Sequence, residues 1–501
     1  MRQLAVLALC SALLAPAASR AADVTPADAA ALREGMRSWI AGLTGLSVPD
    51  LPITVTPEGD HFRVGIPTPG ATDPAAVSTL VARPQPNDVW TLEQLSIPSP
   101  LHYVMRTKGK DGAPEPPTDV TLKIAGQDLA ARIDRSQATP SNFAVDLRAV
   151  TFDAESPEQR AAFHADHYRF GGTVSPASDG VVDLTEEGAA EGITSDSAMA
   201  AKPPVLARIA RAGISLHVDG LRADRSGTVT AASVKLMTLL PQPTAPGGEK
   251  PKLSPEARAQ LHQLILALSG YLRAMGLTEQ LDGMEVRVEG HAVTVAHAEI
   301  GVGGDGRDGI LSAHMKIGMD GLSAPELPPE VAPFMPRHIS ISPSVTGLGV
   351  AELTSMALDA TDDPPKEPDA ARIDALFAHG GVKAAIDEMS LDVGPTHVDG
   401  HGLLTVASPS EVEAHATVTA TGVDALIRQV QAIPDMQPAL AILVYAKGLA
   451  RNEGNRLVWD IAASPAGLTV NGIEPMGARQ PPPRPAQPSA PGTGPAQRPR
   501  R

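Results

Sequence analysis

The hydrophobic positions of this chain follow two periods. Short runs alternate apolar and polar residues, as strands with one buried face do. They include Ile53-Thr-Val, Phe62-Arg-Val-Gly-Ile66, Val120-Thr-Leu-Lys-Ile124 and Phe143-Ala-Val-Asp-Leu147. Met284, Val286 and Val288 then alternate with Glu285, Arg287 and Glu289. Leu311, Ala313, Met315, Ile317 and Met319 alternate with Ser312, His314, Lys316 and Gly318. Further strands are expected at Leu457–Ala462 and Leu468–Asn471.

Helical spacing marks other segments. Thr25 caps a predicted helix over Pro26–Leu46, with Leu32, Met36, Trp39, Ile40 and Leu43 on one face. Ser254 caps a second, with Pro255 at its first position and Glu256 in its first turn. Its stripe is Ala257, Leu261, Leu264, Ile265, Leu268, Leu272 and Met275, with Gly276 as the stop. Further helices are expected at Pro157–Tyr168, Asp369–His379, Val382–Met389, Gly422–Ile433 and Pro438–Lys447.

One unit recurs: a strand that ends in a glycine turn. It is found at Leu216-His-Val-Asp-Gly220, Met284–Gly290, His397-Val-Asp-Gly400 and Leu468-Thr-Val-Asn-Gly472. Asp-Gly and Asn-Gly favour tight hairpins because both residues adopt positive φ. The spacing is uneven, so no solenoid period exists. The expected fold class is α+β: strand-rich, curved antiparallel sheet with hairpins, decorated by amphipathic helices.

Punctuation divides the chain. Residues 1–21 read as an export signal, 23–240 as an N-terminal α+β region, and 241–252 (PQPTAPGGEKPK) as a Pro/Gly linker. Residues 253–475 form a C-terminal α+β region, interrupted by DDPPKEP at 362–368. The 478–501 tail carries five Arg, no acid and no core former beyond Ala, so it is expected to be disordered. Its positive charge suits anionic lipid headgroups or other envelope polyanions.

The signal assignment rests on Arg2, the apolar run Leu4–Ala18, and small residues Ser19 and Ala21 at −3 and −1 of a cut after Ala21. That run is shorter than the roughly 20 apolar residues a spanning helix needs. Leu7-Ala8-Leu9-Cys10 superficially matches a lipoprotein box, but Leu9 is bulky where a small residue is required. Cys10 is the only cysteine, so its loss with the signal closes disulfide, thiolate-metal and thiol chemistry. A periplasmic or secreted protein with no spanning segment in the mature chain is expected.

Charge and composition narrow the function classes. A net charge of −16 repels phosphate backbones, so nucleic acid is not an expected partner. Seven Phe, four Tyr and three Trp are too few for the aromatic girdles of a membrane barrel or the flat rings of a sugar site.

Candidate chemistry is sparse. His164 and His167 in HADH would share a helix face, as zinc ligands do. His397 and His401 in HVDGH flank a predicted Asp-Gly turn that splays them. No HExxH accompanies either pair and no third ligand is assigned by spacing, so solvated histidines are the reading preferred for both. Gly303–Gly309 (GGDGRDG) occurs once and reads as a hairpin loop between strands at Val293–Val302 and Ile310–Met319, rather than a calcium turn. GxSxG and GxxxxGK[ST] are absent. No catalytic, cofactor or metal residue is assigned.

Ser390–Val406 (SLDVGPTHVDGHGLLTV) and Ala462–Pro475 (AASPAGLTVNGIEP) resemble hairpins of uncharacterised alphaproteobacterial periplasmic proteins, broadly AsmA-like envelope proteins. The resemblance covers mostly the region after residue 250. It implies envelope maintenance, with lipid or another envelope protein as partner. Better-known members keep an N-terminal membrane anchor, whereas this signal reads as cleavable. The expected role is therefore non-catalytic lipid handling or interaction. The alternative is a secreted hydrolase whose site is assembled from dispersed His, Asp and Glu.

Overall fold

A computed structural model describes most residues between 24 and 475; its longest gaps are 35–51, 106–115, 241–252 and 362–369. The export segment, Met36, Trp39, Ile40, Leu43, the linker, the DDPPKEP break and the 478–501 tail lie outside the described residues.

Helix α1, described over 26–30 and 32–34, begins where expected: the Asp28 amide donates to Thr25 Oγ1. Seven shorter strands follow: β1 (Thr54–Glu58), β2 (His61–Pro67), β3 (Val77–Gln85), β4 (Val89–Ser96), β5 (Leu101–Met105), β6 (Thr118–Lys123) and β7 (Gly126–Asp134). Four long ones come next: β8 (Thr139–Glu155), β9 (Gln159–Ser178), β10 (Val181–Met199) and β11 (Val205–Arg222). Helices α2 (Ser226–Leu239) and α3 (Pro255–Leu268) lead to β12 (Ala274–Val288), β13 (His291–Asp305), β14 (Ile310–Asp320) and β15 (Pro336–Gly349). After α4 (Val350–Ala360) and α5 (Ala370–Leu376) come β16 (Val382–Val393), β17 (Thr396–Ser408) and β18 (Glu411–Thr421). The chain continues with α6 (Val423–Gln431), α7 (Gln437–Leu449), β19 (Arg451–Glu453), β20 (Arg456–Ser464) and β21 (Gly467–Val470).

All the strands join one antiparallel sheet. From β7 to β18 each strand pairs with the next in sequence, and β18 pairs with β20. The β1–β4 meander joins through β4 and β7, and the sheet does not close. It runs unbroken across the predicted linker, because β11 pairs with β12.

Two expected helices are strands. Pro157–Tyr168 falls mostly in β9, and Val382–Met389 falls in β16. Both hide a strand behind helix-like spacing. In β16 the register shifts between Ile386 and Met389, so Val382, Ile386 and Met389 lie four and three residues apart. In β9, Ala161, Ala165 and Tyr168 show the same spacing. Hydrogen bonding to a strand on each side overrides the helix propensity of these Ala- and Glu-rich segments. Helix α3 keeps its Ser254 cap, whose Oγ accepts from the Ala257 amide, but stops at Leu268. Gly270, at φ +68°, ends it, and Met275 belongs to β12. Tight turns form at Glu289-Gly290 and Asn471-Gly472, with both residues at positive φ. Gly220 and Gly400 instead lie inside strands.

The long strands share an offset that the alternation alone does not reveal. Ala149, Gly192 and Gly283 have φ of +47°, +62° and +62° and lie on one line across the sheet, opposite Asp166, Ala210 and Ala296. At this line the apolar positions step by three instead of two. Leu147 and Val150 belong to one buried cluster, and Ile209/Ala212, Leu281/Met284 and Val295/Ala298 repeat the step. Strands β8 to β13 take it together, so their apolar side chains stay on one face along their length. A one-residue slip without such a correction would send half of each strand's apolar set to the other face.

Glycine is required at Gly283, where an added Cβ would lie 2.9 Å from the Ala210 Cβ at positive φ. Gly283→Ala is expected to cost about 1–3 kcal/mol, lowering the chemical denaturation midpoint. An unchanged midpoint would mean the step carries no strain.

Candidate functional site

Directly paired residues share a face, so the pairings define two surfaces. One row runs Ile214–Glu279–Ile300–Ile317–Ile341–Met389 from β11 to β16. A second runs Leu184–Val218–Met275 from β10 to β12. At the far end Val398, Ala420 and Leu457 are opposite one another on the same face. This face is apolar from β8 to β21, with few interruptions.

Helices cover its two ends. At the first end, α1 supplies Ala29 and Leu32 to a core with Phe62, Val64, Ala82, Trp90 and Phe143; the Phe62 and Trp90 rings stack at 5.4 Å. At the other, Val423 and Ile427 of α6 and Leu440 and Leu443 of α7 pack on Val398, Ala420, Leu457 and Trp459. The middle strands are different. Ile214, Val293, Ile300, Val302, Met315 and Ile317 are exposed, Ile300 at 51%. Among the described residues, every buried apolar cluster of the sheet lies towards its ends. The middle of the apolar face is open.

Two acids lie within it, Glu279 of β12 in the first row and Glu186. Glu186 of β10 is paired with Gly172 of β9 and Leu216 of β11. It follows Leu184 on the apolar parity, and burial alone pushes its carboxyl up to about 7.

The opposite face is polar and carries a ladder. Arg148, His167, Glu191, Arg211, Asp282, His297, Asp320, His338, Asp392 and His397 are each directly opposite the next, strand after strand. The ladder lies one residue from the line where the parity steps. His297 Nδ1 donates to Asp282 at 2.7 Å, and His338 and His397 donate likewise to Asp320 and Asp392. Opposite charges facing across strands contribute about 0.2–1 kcal/mol each, towards the low end at this exposure. They fix register where the alternation slips.

The four singled-out histidines do not meet. His164 bonds to Asp166 and His167 to Asp146, both on a strand rather than the expected helix face. His397 and His401 sit on one straight strand, not around a turn, and four residues of strand separate them by roughly 13 Å. That is too far for one metal ion, and no group of three or more His, Cys, Asp or Glu with metal-holding geometry exists among the described residues. His401 and His415 do line a polar depression with Asp387, Thr417, Arg451 and Asp460. There the Thr417 hydroxyl donates to Asp460, which Arg451 also holds at 2.8 Å. The hydroxyl thereby donates to a carboxylate that Arg451 already pairs. Of the expected Gly303–Gly309 loop, Gly303–Asp305 belong to β13 and only Gly306–Gly309 connect it to β14.

Single residues show neither surface. The ladder pairs residues from separate strands, and the acidic pair Glu186-Glu187, whose polarity predicts a loop, lies instead inside β10.

Two titrations test these environments. The raised Glu186 carboxyl destabilises the fold progressively as pH rises from its unfolded value near 4.5 through 7, because the native state then holds a proton that the unfolded chain has released. Glu186→Gln is expected to raise stability at pH 8 by on the order of 1–2 kcal/mol, allowing for partial exposure, and to change nothing at pH 4. Equal midpoints at pH 8 would contradict this.

The His397 imidazole is raised above 6.5, chiefly by its hydrogen bond to Asp392, with Asp399 against its Nε2 at 2.7 Å. Its stabilising contribution is complete below pH 6.5 and is lost as pH rises through the folded value. Asp392→Asn should move the His397 titration downward in an NMR pH series; an unmoved titration would exclude Asp392 as the cause.

Comparisons with protein families, with curated proteins and with solved structures each found no match.

Proposed function

We propose that this is an exported, non-catalytic envelope protein that holds the acyl chains of lipids against the open middle of its apolar sheet face. The observation that carries the reading is the exposure of Ile214, Ile300, Val302, Met315 and Ile317 on one continuous face. Contiguous apolar surface of this kind marks interaction sites in soluble proteins. A flexible hydrocarbon chain suits it well, since aliphatic side chains offer little directional chemistry and few aromatic rings. Each methylene fully withdrawn from water contributes about 0.8 kcal/mol, and roughly half of that on an open face.

The sheet supplies a continuous run of such contacts because neighbouring strands lie about 4.8 Å apart. Curvature of the sheet around the chain would improve coverage, and the line of positive-φ residues is where a bend is most easily placed. Export rests on the N-terminal segment of the sequence. The resemblance of Ser390–Val406 and Ala462–Pro475 to AsmA-like envelope proteins points the same way, also from sequence alone.

Native mass spectrometry of protein purified from the envelope, without added lipid, provides the test. Masses of one or more bound lipids are expected, and Ile300→Glu with Ile317→Glu should abolish them while the far-UV spectrum is kept. A wild-type chain with no associated lipid, or a double variant that retains it, would refute the proposal.

A further inference from the structure

The surroundings of Glu186 on the apolar face follow from the strand pairings. On β9 they are Phe170, Gly172 and Val174, and on β11 Ile214, Leu216 and Val218. Along its own strand come Leu184 and Gly188. None of these titrates. Arg169, Glu187 and His217, the nearest charged or titratable residues on the three strands, lie on the reverse face by alternation. Glu279, the other acid of the apolar face, is two strands away on β12 and exposed. Among the described residues, no hydrogen bond or ion pair reaches the Glu186 carboxyl.

This carboxyl stands where the cover of the face ends. Beside it Val174 and Val218 are buried, whereas Ile214 is 42% exposed. The Phe143 ring fills the space over Gly172, where an added Cβ would meet it at 2.9 Å. The β9 side is thus walled, and the β11 side opens on the middle strands. From Glu186 one row crosses them through Leu216, Leu277, Val302 and Met315, and its last two members are exposed. Four strand spacings make that row roughly 19 Å long, within reach of a long acyl chain. One polar group at the head of an apolar track matches a ligand with one small polar end.

We propose that the apolar face selects fatty acids, with Glu186 taking the ligand's carboxyl group and the row from Leu216 to Met315 carrying its tail. The inference rests on the acyl-chain reading of this face and names its ligand class. A fatty-acid carboxylate accepts a hydrogen bond from the protonated Glu186, so that two carboxyl groups share one proton. Such a charge-assisted bond is roughly twice as strong as the neutral one an ester carbonyl would accept. An ionised Glu186 would instead repel a second carboxylate. An ammonium headgroup has the opposite need, for an ionised Glu186, which burial opposes. The fatty acid therefore binds together with a proton: affinity is full below pH 7 and falls as pH rises through it.

The test is equilibrium dialysis of the full-length protein, stripped of lipid, with dodecanoic acid, methyl dodecanoate or dodecylamine at about pH 6 and about pH 8.5. Affinity for the acid is expected to fall by about tenfold or more between the two, while the ester changes only a few-fold. At the lower pH the acid should bind more tightly than the amine. Glu186→Gln keeps a donor that does not titrate, so it should hold the acid equally at both pH values. Glu186→Leu removes the donor and should bind acid and ester alike. Melting curves of both variants show that the fold is kept.

An acid affinity that is the same at both pH values in the wild type would overturn the proposal. So would an amine bound more tightly than the acid at the lower pH, or a pH dependence that persists in Glu186→Gln. The two readings fail separately. If Ile300→Glu with Ile317→Glu abolishes uptake of acid and ester while the Glu186 variants change nothing, the selection falls and the acyl-chain reading stands. If that double variant takes up both ligands undiminished, the acyl-chain reading itself falls, and the selection with it.

Discussion

Every long strand must keep its apolar residues on one face while crossing a line where the two-residue alternation slips by one. The rest of the architecture depends on that constraint. It is met collectively: positive-φ residues on β8, β10 and β12 stand opposite ordinary residues on β9, β11 and β13, and these six strands step together. The ladder from Arg148 to His397 runs beside the step on the polar face. From Glu191 onward acidic and basic residues alternate, so a slip of one strand would part the pairs it makes on either side. The apolar face and the polar ladder are thus two sides of one register.

This constraint produces a sheet with unequal surroundings. Its ends behave as ordinary cores, closed by α1 at one and by α6 and α7 at the other. Its middle keeps the same sequence pattern, and no element among the described residues covers it. Antiparallel sheets tolerate one wet face when that face is polar, but here the exposed middle includes the apolar one. A cost of that kind is retained where the surface is used, which is why function is placed there rather than in the polar depression around His401. Glu186 fits the same view, as an acid held on the apolar parity at the expense of its charged form.

Much of the fold was legible in the sequence. The caps at Thr25 and Ser254, the tight turns at Glu289-Gly290 and Asn471-Gly472, and the alternation in β12 and β14 all follow from local chemistry. The failures share one cause. The collective step in β9 and the register shift in β16 give spacings of three and four, which a single sequence cannot distinguish from a helix. The residue types of Asp219-Gly220 and Asp399-Gly400 predict turns, yet both pairs lie inside strands: Asp399-Gly400 is paired on both sides, and Gly220 takes its positive φ at a register shift in β11. The candidate site was illegible for a related reason. Alternation shows that each strand has an apolar side, but only the pairings show that these sides form one surface and that its middle is uncovered. The histidines were judged singly or in local pairs, whereas their partners lie on neighbouring strands.

The central claim is that the exposed middle of one sheet face, and not its reverse, receives an acyl chain. Methyl NMR with a spin-labelled fatty acid tests this directly. Broadening confined to methyl groups of Ile214, Ile300, Val302, Met315 and Ile317 is the predicted result, with Thr278 and Thr294 on the polar face untouched. Equal broadening on both faces, or none on the apolar one, would contradict the account.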